Sequence, residues 1–243
     1  MNLNKLISAR HRGDQFISTW RTTTANETIT LPTPTNYNVN WGDGTSTTNA
    51  NSHVYAIAGD YEIKIRGEIT DFAFNNGGDK DKILEVSNFG GLFVIHNAFY
   101  GCNLVDVTAT DIPILDVDLN DIFQSATSLI FNNSINNWDT SNVTILRSSF
   151  SRSSFNQDIS SWNVSNVNDL ENFISFNTQF NQPLNSWNTI SLTSVFSAFN
   201  GSTSFNQDLD NWNVSGCNNF ASLFLNAVSF NGNISTWDVS NVT

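Results

Sequence analysis

Charge is scarce in this 243-residue sequence: 13% of residues are charged, about half the usual share. Basic residues are scarcest, with 10 Lys and Arg against 22 Asp and Glu, a net charge of −12, and none after Arg152. A phosphate backbone is held by clustered cations, so bare nucleic acid is excluded as a partner. Three histidines, His11, His53 and His96, leave little for an imidazole-based metal or acid–base site. Cys102 and Cys217 stand far apart, outside any metal-ligand spacing. They read as buried reduced thiols, with a disulfide as the alternative. No run approaches the roughly 18 apolar residues of a membrane span, so membrane insertion is not expected. The opening MNLNKLISARHRGD lacks the apolar stretch of a secretory signal. That leaves a cytoplasmic chain, a removed leader, or another route outward such as assembly into a virus particle.

The polar bulk is uncharged. Asn occurs 38 times, and the 19 Phe and 7 Trp argue against disorder. Lys5, Arg10, Arg12 and Arg21 concentrate basic charge at the start of an otherwise acidic chain. The segment 1–14, through Lys5, Arg10 and Arg12, is a candidate anchor for an acidic partner; a solvated terminus is the alternative.

A repeat dominates the rest. Trp138, Trp162, Trp187, Trp212 and Trp237 are spaced 24, 25, 25 and 25 residues apart. Phe131, Phe155, Phe180, Phe205 and Phe230, each followed by Asn, keep the same spacing, as do Ile135, Ile159, Leu184, Leu209 and Ile234. A unit of this size cannot bury its own apolar face, but stacked units cover one another. The spacing of Ile159, Trp162 and Val164 follows the L-x-x-L-x-L of leucine-rich repeats. It predicts a strand with Trp and Val inward and Asn163 outward. The five Trp then form a buried structural ladder. The outward positions Asp139, Asn163, Asn188, Asn213 and Asp238 form a polar stripe that could face a ligand. Apolar spacings of three and four in 167–174 and 192–199 predict short outer helical turns. The Asn after each Phe is expected to form a ladder that satisfies turn backbone groups.

Residues 15–67 alternate as β-strands and predict a small β-sandwich. W-G-D-G-T (41–45) and H-V-Y (53–55) mark it; Asp43 reads as a turn former, since a calcium loop takes a graded series of oxygen ligands. Residues 68–123, with A-F-Y-G-C-N-L at 98–104, read as irregular lead-in and capping coils, and 124–243 as a solenoid of about five repeats. The fold class expected is therefore mainly β, a PKD/Ig-like sandwich followed by a leucine-rich-repeat-type solenoid with short outer helical turns.

On S-F-N-Q-D-I-S-S-W-N-V-S-N-V (154–167) and its neighbours, the sequence resembles the BspA-like leucine-rich repeat surface proteins of bacteria. Segment 41–61 resembles the PKD-type sandwich that precedes such repeats, and 98–104 their first coil. Met1 is the sole methionine, whereas that family carries Met pairs in its outer turn. The resemblance implies extracellular contact: adhesion, or binding to host proteins or glycans. The function expected is a non-enzymatic, surface-exposed interaction module, extracellular or on a virion. The alternative is a structural virion component, assembling as a homo-oligomer or on a capsid or tail protein through the N-terminal segment or an open C-terminal coil. An enzyme is disfavoured, because 153–243 offers six acids and no Lys, Arg or His. No cofactor or metal is implied.

Overall fold

A computed structural model describes residues 15–33, 37–67, 69, 71–103, 106–132 and 134–242. The segment 1–14, with the anchor candidates Lys5, Arg10 and Arg12, lies outside the described residues. The fold is mainly β. Its elements are β1 (Phe16–Thr22), β2 (Glu27–Thr30), β3 (Tyr37–Asn40), β4 (Ser46–Thr48), β5 (Ser52–Tyr55), β6 (Gly59–Gly67), β7 (Ile83–Asn88), β8 (Phe93–Val94), β9 (Asp106–Val107), β10 (Ile114–Leu115) and β11 (Ile130–Phe131). A single 3-10 turn, Ser134–Asn137, is the one helical element among the described residues, and none is long and apolar enough to cross a membrane.

One mixed sheet runs in the order β11-β9-β7-β1-β6-β3-β4, and β2 and β5 form a separate antiparallel ribbon. The alternating pattern of β1 buries Phe16, Ser18, Trp20 and Thr22 on one face. The ribbon adds Ile29 and Tyr55 to the same apolar cluster. β7 is the turning point. It pairs antiparallel with β1, with register shifts after Ile17 and Thr19, and parallel with β9, which in turn pairs parallel with β11. One sheet thus holds strands from both sides of residue 67.

Beyond β7 the chain advances as stacked parallel units. Isolated parallel bridges link Asp118 to Ile145, Ile145 to Asp169 and Asp169 to Ser194. The strand expected at Ile159–Val164 and its equivalents is absent; these residues form turns, and the bridge column lies elsewhere in each unit. The outer helical turns are absent too. In their place each unit carries two positive-φ residues four apart: Asn97 and Gly101, Asp121 and Ser125, Ser148 and Arg152, Asn172 and Phe176, Ser197 and Gly201, Ser222 and Asn226. A left-handed residue at every fourth position breaks the right-handed helix that the apolar spacing suggested.

Main-chain hydrogen bonds show what replaces the helix. Leu146, Ser148, Phe150 and Arg152 donate N–H to the carbonyls of Asp169, Glu171, Phe173 and Ser175 in the next unit. The intervening Ser149, Ser151 and Ser153 donate three residues back, to Leu146, Ser148 and Phe150. The same alternation recurs from Leu170 to Phe176, which bond to 194–200. Each unit therefore depends on its neighbour for about half of its backbone partners in this stretch.

The aromatic columns fill the interior. Trp138, Trp162, Trp187 and Trp212 are buried, and Trp237 is half-buried against the same cluster. Trp138 and Trp162 stack at 6.5 Å and Trp187 and Trp212 at 6.0 Å, in the offset geometry aromatic rings prefer. Phe155, Phe180, Phe205 and Phe230 form a second stack at 6.0, 6.1 and 5.9 Å. Each indole is also a stitch: Trp162, Trp187, Trp212 and Trp237 donate Nε1–H to the carbonyls of Ile135, Ile159, Leu184 and Leu209 one unit back, at 2.8–3.0 Å. Those carbonyls already accept the backbone N–H of their own unit's Trp. Trp138, the first rung, has no acceptor for its buried Nε1 among the described residues.

This difference is measurable. Trp187→Phe is expected to destabilise the chain by about 1 kcal/mol more than Trp138→Phe, the worth of one hydrogen bond. Urea unfolding of the two variants checks it; equal losses would deny the indole bonds a role.

Candidate functional site

The stripe Asp139, Asn163, Asn188, Asn213 and Asp238 does fall at one position of successive units, flanked by buried Trp on one side. Asp139, Asn163, Asn188 and Asp238 are exposed and Asn213 is half-exposed. The inward-outward alternation was legible, but its structural basis is a turn rather than a strand. In each case Oδ1 accepts the backbone N–H two residues on: from Ser141 at 3.1 Å, Ser165 at 3.1 Å, Ile190 at 3.4 Å, Ser215 at 3.1 Å and Ser240 at 3.0 Å. The hydroxyls of Ser141, Ser165 and Ser215 add a second bond to the same oxygen. Ser141's hydroxyl and backbone hold the Asp139 carboxyl below its usual range, and Ser240's backbone and hydroxyl do the same for Asp238. The acceptors are thus committed to shape. The Nδ2 donors of Asn163, Asn188 and Asn213 form no hydrogen bond within the described residues and remain for an outside acceptor.

A second polar column was foreseen as a ladder. Asn181, Asn206 and Asn231 donate backbone N–H to Oδ1 of Asn156, Asn181 and Asn206, at 3.0, 2.9 and 2.7 Å. Gln182 and Gln207 reinforce it by donating Nε2–H to the carbonyl and side-chain oxygens of Asn156 and Asn181. These residues hold the stack together.

Carboxylates of the repeat half are likewise occupied. Asp118 and Asp158 accept N–H from Asn120 and Ser160 within their own turns, and Asp208 and Asp210 accept from Asn233 and Asn185 of adjacent units. Arg147 bridges Asp169 at 2.7 Å and Glu171 at 3.2 Å. Among the described residues no three His, Cys, Asp or Glu are grouped as metal ligands. Cys102 and Cys217 are free and buried; burial pushes the Cys102 thiol upward and Cys217 up to about 11.

The W-G-D-G-T turn is built around Asp43. Its carboxylate accepts the backbone N–H and hydroxyl of Thr45 at 2.9 and 2.6 Å and faces His53 Nε2 at 2.7 Å. Trp41 stacks on the His53 ring at 5.1 Å, and the Tyr55 hydroxyl donates to the Trp41 carbonyl. Desolvation raises the Asp43 pKa, but the bonds from Thr45 and His53 outweigh it and hold it at about 2.

Residues 93–201 and 152–243 match the family described as "Mycoplasma protein of unknown function, DUF285". Together these stretches cover more than half of the chain. The chain belongs to the DUF285 family. This corrects the resemblance to BspA-like leucine-rich repeat surface proteins with a PKD-like sandwich. The family returned is DUF285, residues 15–92 lie outside the match, and the matched units contain neither the leucine-rich-repeat strand nor its helix. No curated protein and no solved structure matches the chain.

Sequence reasoning missed one feature of this chain, the exposed pair Arg152 and Phe176. Arg152 Cζ lies 4.6 Å from the Phe176 ring centroid. The available signals were that Arg152 is the last basic residue and that Phe176 is a bulky side chain among small ones in its column.

The Asp43 turn makes a pH prediction. A carboxyl held at about 2 in the folded chain and near 3.9 when unfolded contributes stability that is present above about pH 4 and lost as pH falls toward 2. Asp43→Asn is expected to be less stable than the parent at pH 7. The gap should close between about pH 4 and 2 in denaturant titrations; a gap independent of pH would refute the assignment.

Proposed function

We propose that this DUF285 chain is a non-enzymatic interaction module displayed at an outer surface, extracellular or on a particle, and that it binds a glycan or a protein of another surface. On this reading the repeat half is an open solenoid, without the strand-and-helix coil of a leucine-rich repeat, that serves as a stiff support. The observation carrying the proposal is the division of labour in the stripe. At Asn163, Asn188 and Asn213 the side-chain oxygen fixes the turn while the amide N–H groups face outward at one position of successive units. Such pre-ordered donors lose little conformational freedom on binding. They suit a ligand that repeats hydroxyl or carbonyl acceptors, as a polysaccharide does.

A second reading, a structural component of an assembly, draws on a different face. Phe220, Leu223, Phe224, Trp237, Val239 and Val242 line an apolar groove of about 510 Å³. An apolar face of this kind fits a protein neighbour.

The two are separable with one set of proteins. Replacing Asn163, Asn188 and Asn213 together by Asp keeps each turn acceptor and deletes the outward donors. The triple variant should keep the parent's circular dichroism, melt lower because it completes a column of like charges, and lose about tenfold or more in affinity for neutral polysaccharides on a sensor surface below its melting temperature. Unchanged affinity would sink the glycan reading of the stripe. A concentration-dependent discrete oligomer in light scattering, without glycan binding, would favour assembly instead.

A further inference from the structure

The second positive-φ position of each unit is occupied by Gly101, Ser125, Arg152, Phe176, Gly201 and Asn226. Gly, Ser and Asn are ordinary choices in the left-handed region. Arg and Phe are not, and a bulky residue retained there marks stored strain of the kind found at functional sites. Both have φ near 55°, with Arg152 at 56° and Phe176 at 55°.

Their side chains make a shelf. The guanidinium of Arg152 sits over the Phe176 ring, 4.6 Å from its centroid, within the range of a cation–π contact. The ring also lies against Gly201, where an added Cβ would stand 2.6 Å from Phe176 Cδ1. Phe176 is nevertheless 42% exposed, and Arg152 is exposed as well. Arg21, Lys64, Lys80, Lys82 and Arg147 all face carboxylates. Arg152, like Arg66, has no ion pair or side-chain hydrogen bond among the described residues, and it is the one such cation in the repeat half of a chain of net charge −12.

A polar groove adjoins the shelf. It measures about 440 Å³ and is lined by Ser128, Ile130, Ser154, Asn156, Gln157 and Gln179. Ser154 follows Arg152 by two residues and Gln179 follows Phe176 by three, so the Cα atoms of these lining residues lie within about 7 to 11 Å of those of the pair. The volume lies in the range of small-ligand sites. The Ser128 hydroxyl and the Gln157 and Gln179 amides can both donate to and accept from sugar hydroxyls, while the Ser154 hydroxyl and the Asn156 oxygen are bonded within the stack. Ile130, 54% exposed, and the exposed edge of the Phe176 ring offer apolar surface to a pyranose.

We propose that Arg152, Phe176 and this groove form a subsite for a sugar carrying one carboxylate, with the Arg152 fork on the carboxylate and the groove on the hydroxyls. The proposal rests on the glycan-binding reading above and adds the ligand's charge and place. A guanidinium is the side chain suited to planar, two-point recognition of a carboxylate. One cation on a chain with no Lys or Arg after it cannot retain a long polyanion against the surrounding negative field. The ligand is therefore a single acidic sugar on an otherwise neutral glycan.

The test is calorimetric titration of the whole chain with a glucuronic-acid-terminated disaccharide and with its neutral glucose counterpart. The acidic sugar should bind about tenfold or more tightly, and Arg152→Gln should erase that preference. Phe176→Gly should weaken the acidic sugar while keeping or raising the melting temperature, because Gly already occupies this position at 101 and 201. That combination is not what a merely structural Phe would give. Equal binding of the two sugars, or a preference that survives both substitutions, would overturn the subsite. An acidic preference that survives in Arg152→Gln, with neutral polysaccharide binding lost in the triple Asn→Asp variant, would overturn the subsite alone and leave the stripe standing. An acidic preference lost in Arg152→Gln and kept in the triple variant would establish the subsite without the stripe.

Discussion

From Asn97 to Gly201, successive units hand alternate backbone N–H groups to the carbonyls of the unit that follows. With no α-helix to close its bonds internally, a lone 25-residue unit would leave these groups to water or unpaired, and burying them unpaired costs more than the packing around them returns. Stacking is therefore a requirement of the backbone before it is a consequence of hydrophobic burial. The positive-φ pairs exist because a chain that spends every second N–H on its neighbour must turn the others back three residues. That turning is achieved by placing a left-handed residue at every fourth position.

A stack needs a first layer, and β7 supplies it. Its antiparallel edge is held by β1, whose other edge is held by β6, so its parallel edge is offered in a fixed register to β9. From there the same polarity is transmitted unit by unit, with β11 and the bridge column continuing it. The paired turn is already present at Asn97 and Gly101, which bond to Ile122-bearing 120–124 through Asn97, Phe99 and Gly101. The residues before the regular repeats thus share their backbone plan even where the Trp and Phe columns have not begun. The missing acceptor for Trp138 records the same transition: the indole stitch needs a preceding unit with the Ile135-type carbonyl, and the first rung has none.

How far the sequence disclosed this depends on which signal carried each feature. The Trp, Phe and aliphatic columns were legible because three apolar types recur at one period and burial demands it. The Asn ladder was legible because an amide beside a buried Phe has few other uses. The strand and helix assignments failed for a common reason. The L-x-x-L-x-L spacing reports only which side chains point inward, and a chain of turns can satisfy it as well as a strand. Ser148, Asn172, Ser197 and Ser222 look unremarkable as letters, yet they are the left-handed positions that exclude a helix. The shelf at Arg152 and Phe176 was hidden because a unit shorter by one residue between Arg152 and Phe155 blurs the alignment of that column.

The stacking constraint also accounts for the composition. Identical positions of adjacent units lie about 4.8 Å apart in a parallel ladder. Two like charges at that distance repel by roughly 1 to 3 kcal/mol between bulk water and a protein surface, and a column of them multiplies the penalty. The columns are accordingly interrupted. The stripe places Asp at 139 and 238 with Asn at 163, 188 and 213 between them. Asp158 and Asp208 are separated by Pro183, and Asp118 and Asp169 by Ile145. Where Asp169 and Glu171 occur in one unit, Arg147 of the preceding unit bridges both. Asn performs the turn-forming work of Asp without the charge, which is why a chain with so few charged residues contains 38 Asn. By the same reasoning an unpaired cation in the stack stands out, since the electrostatics that remove charge from the columns give no structural reason to keep Arg152 exposed.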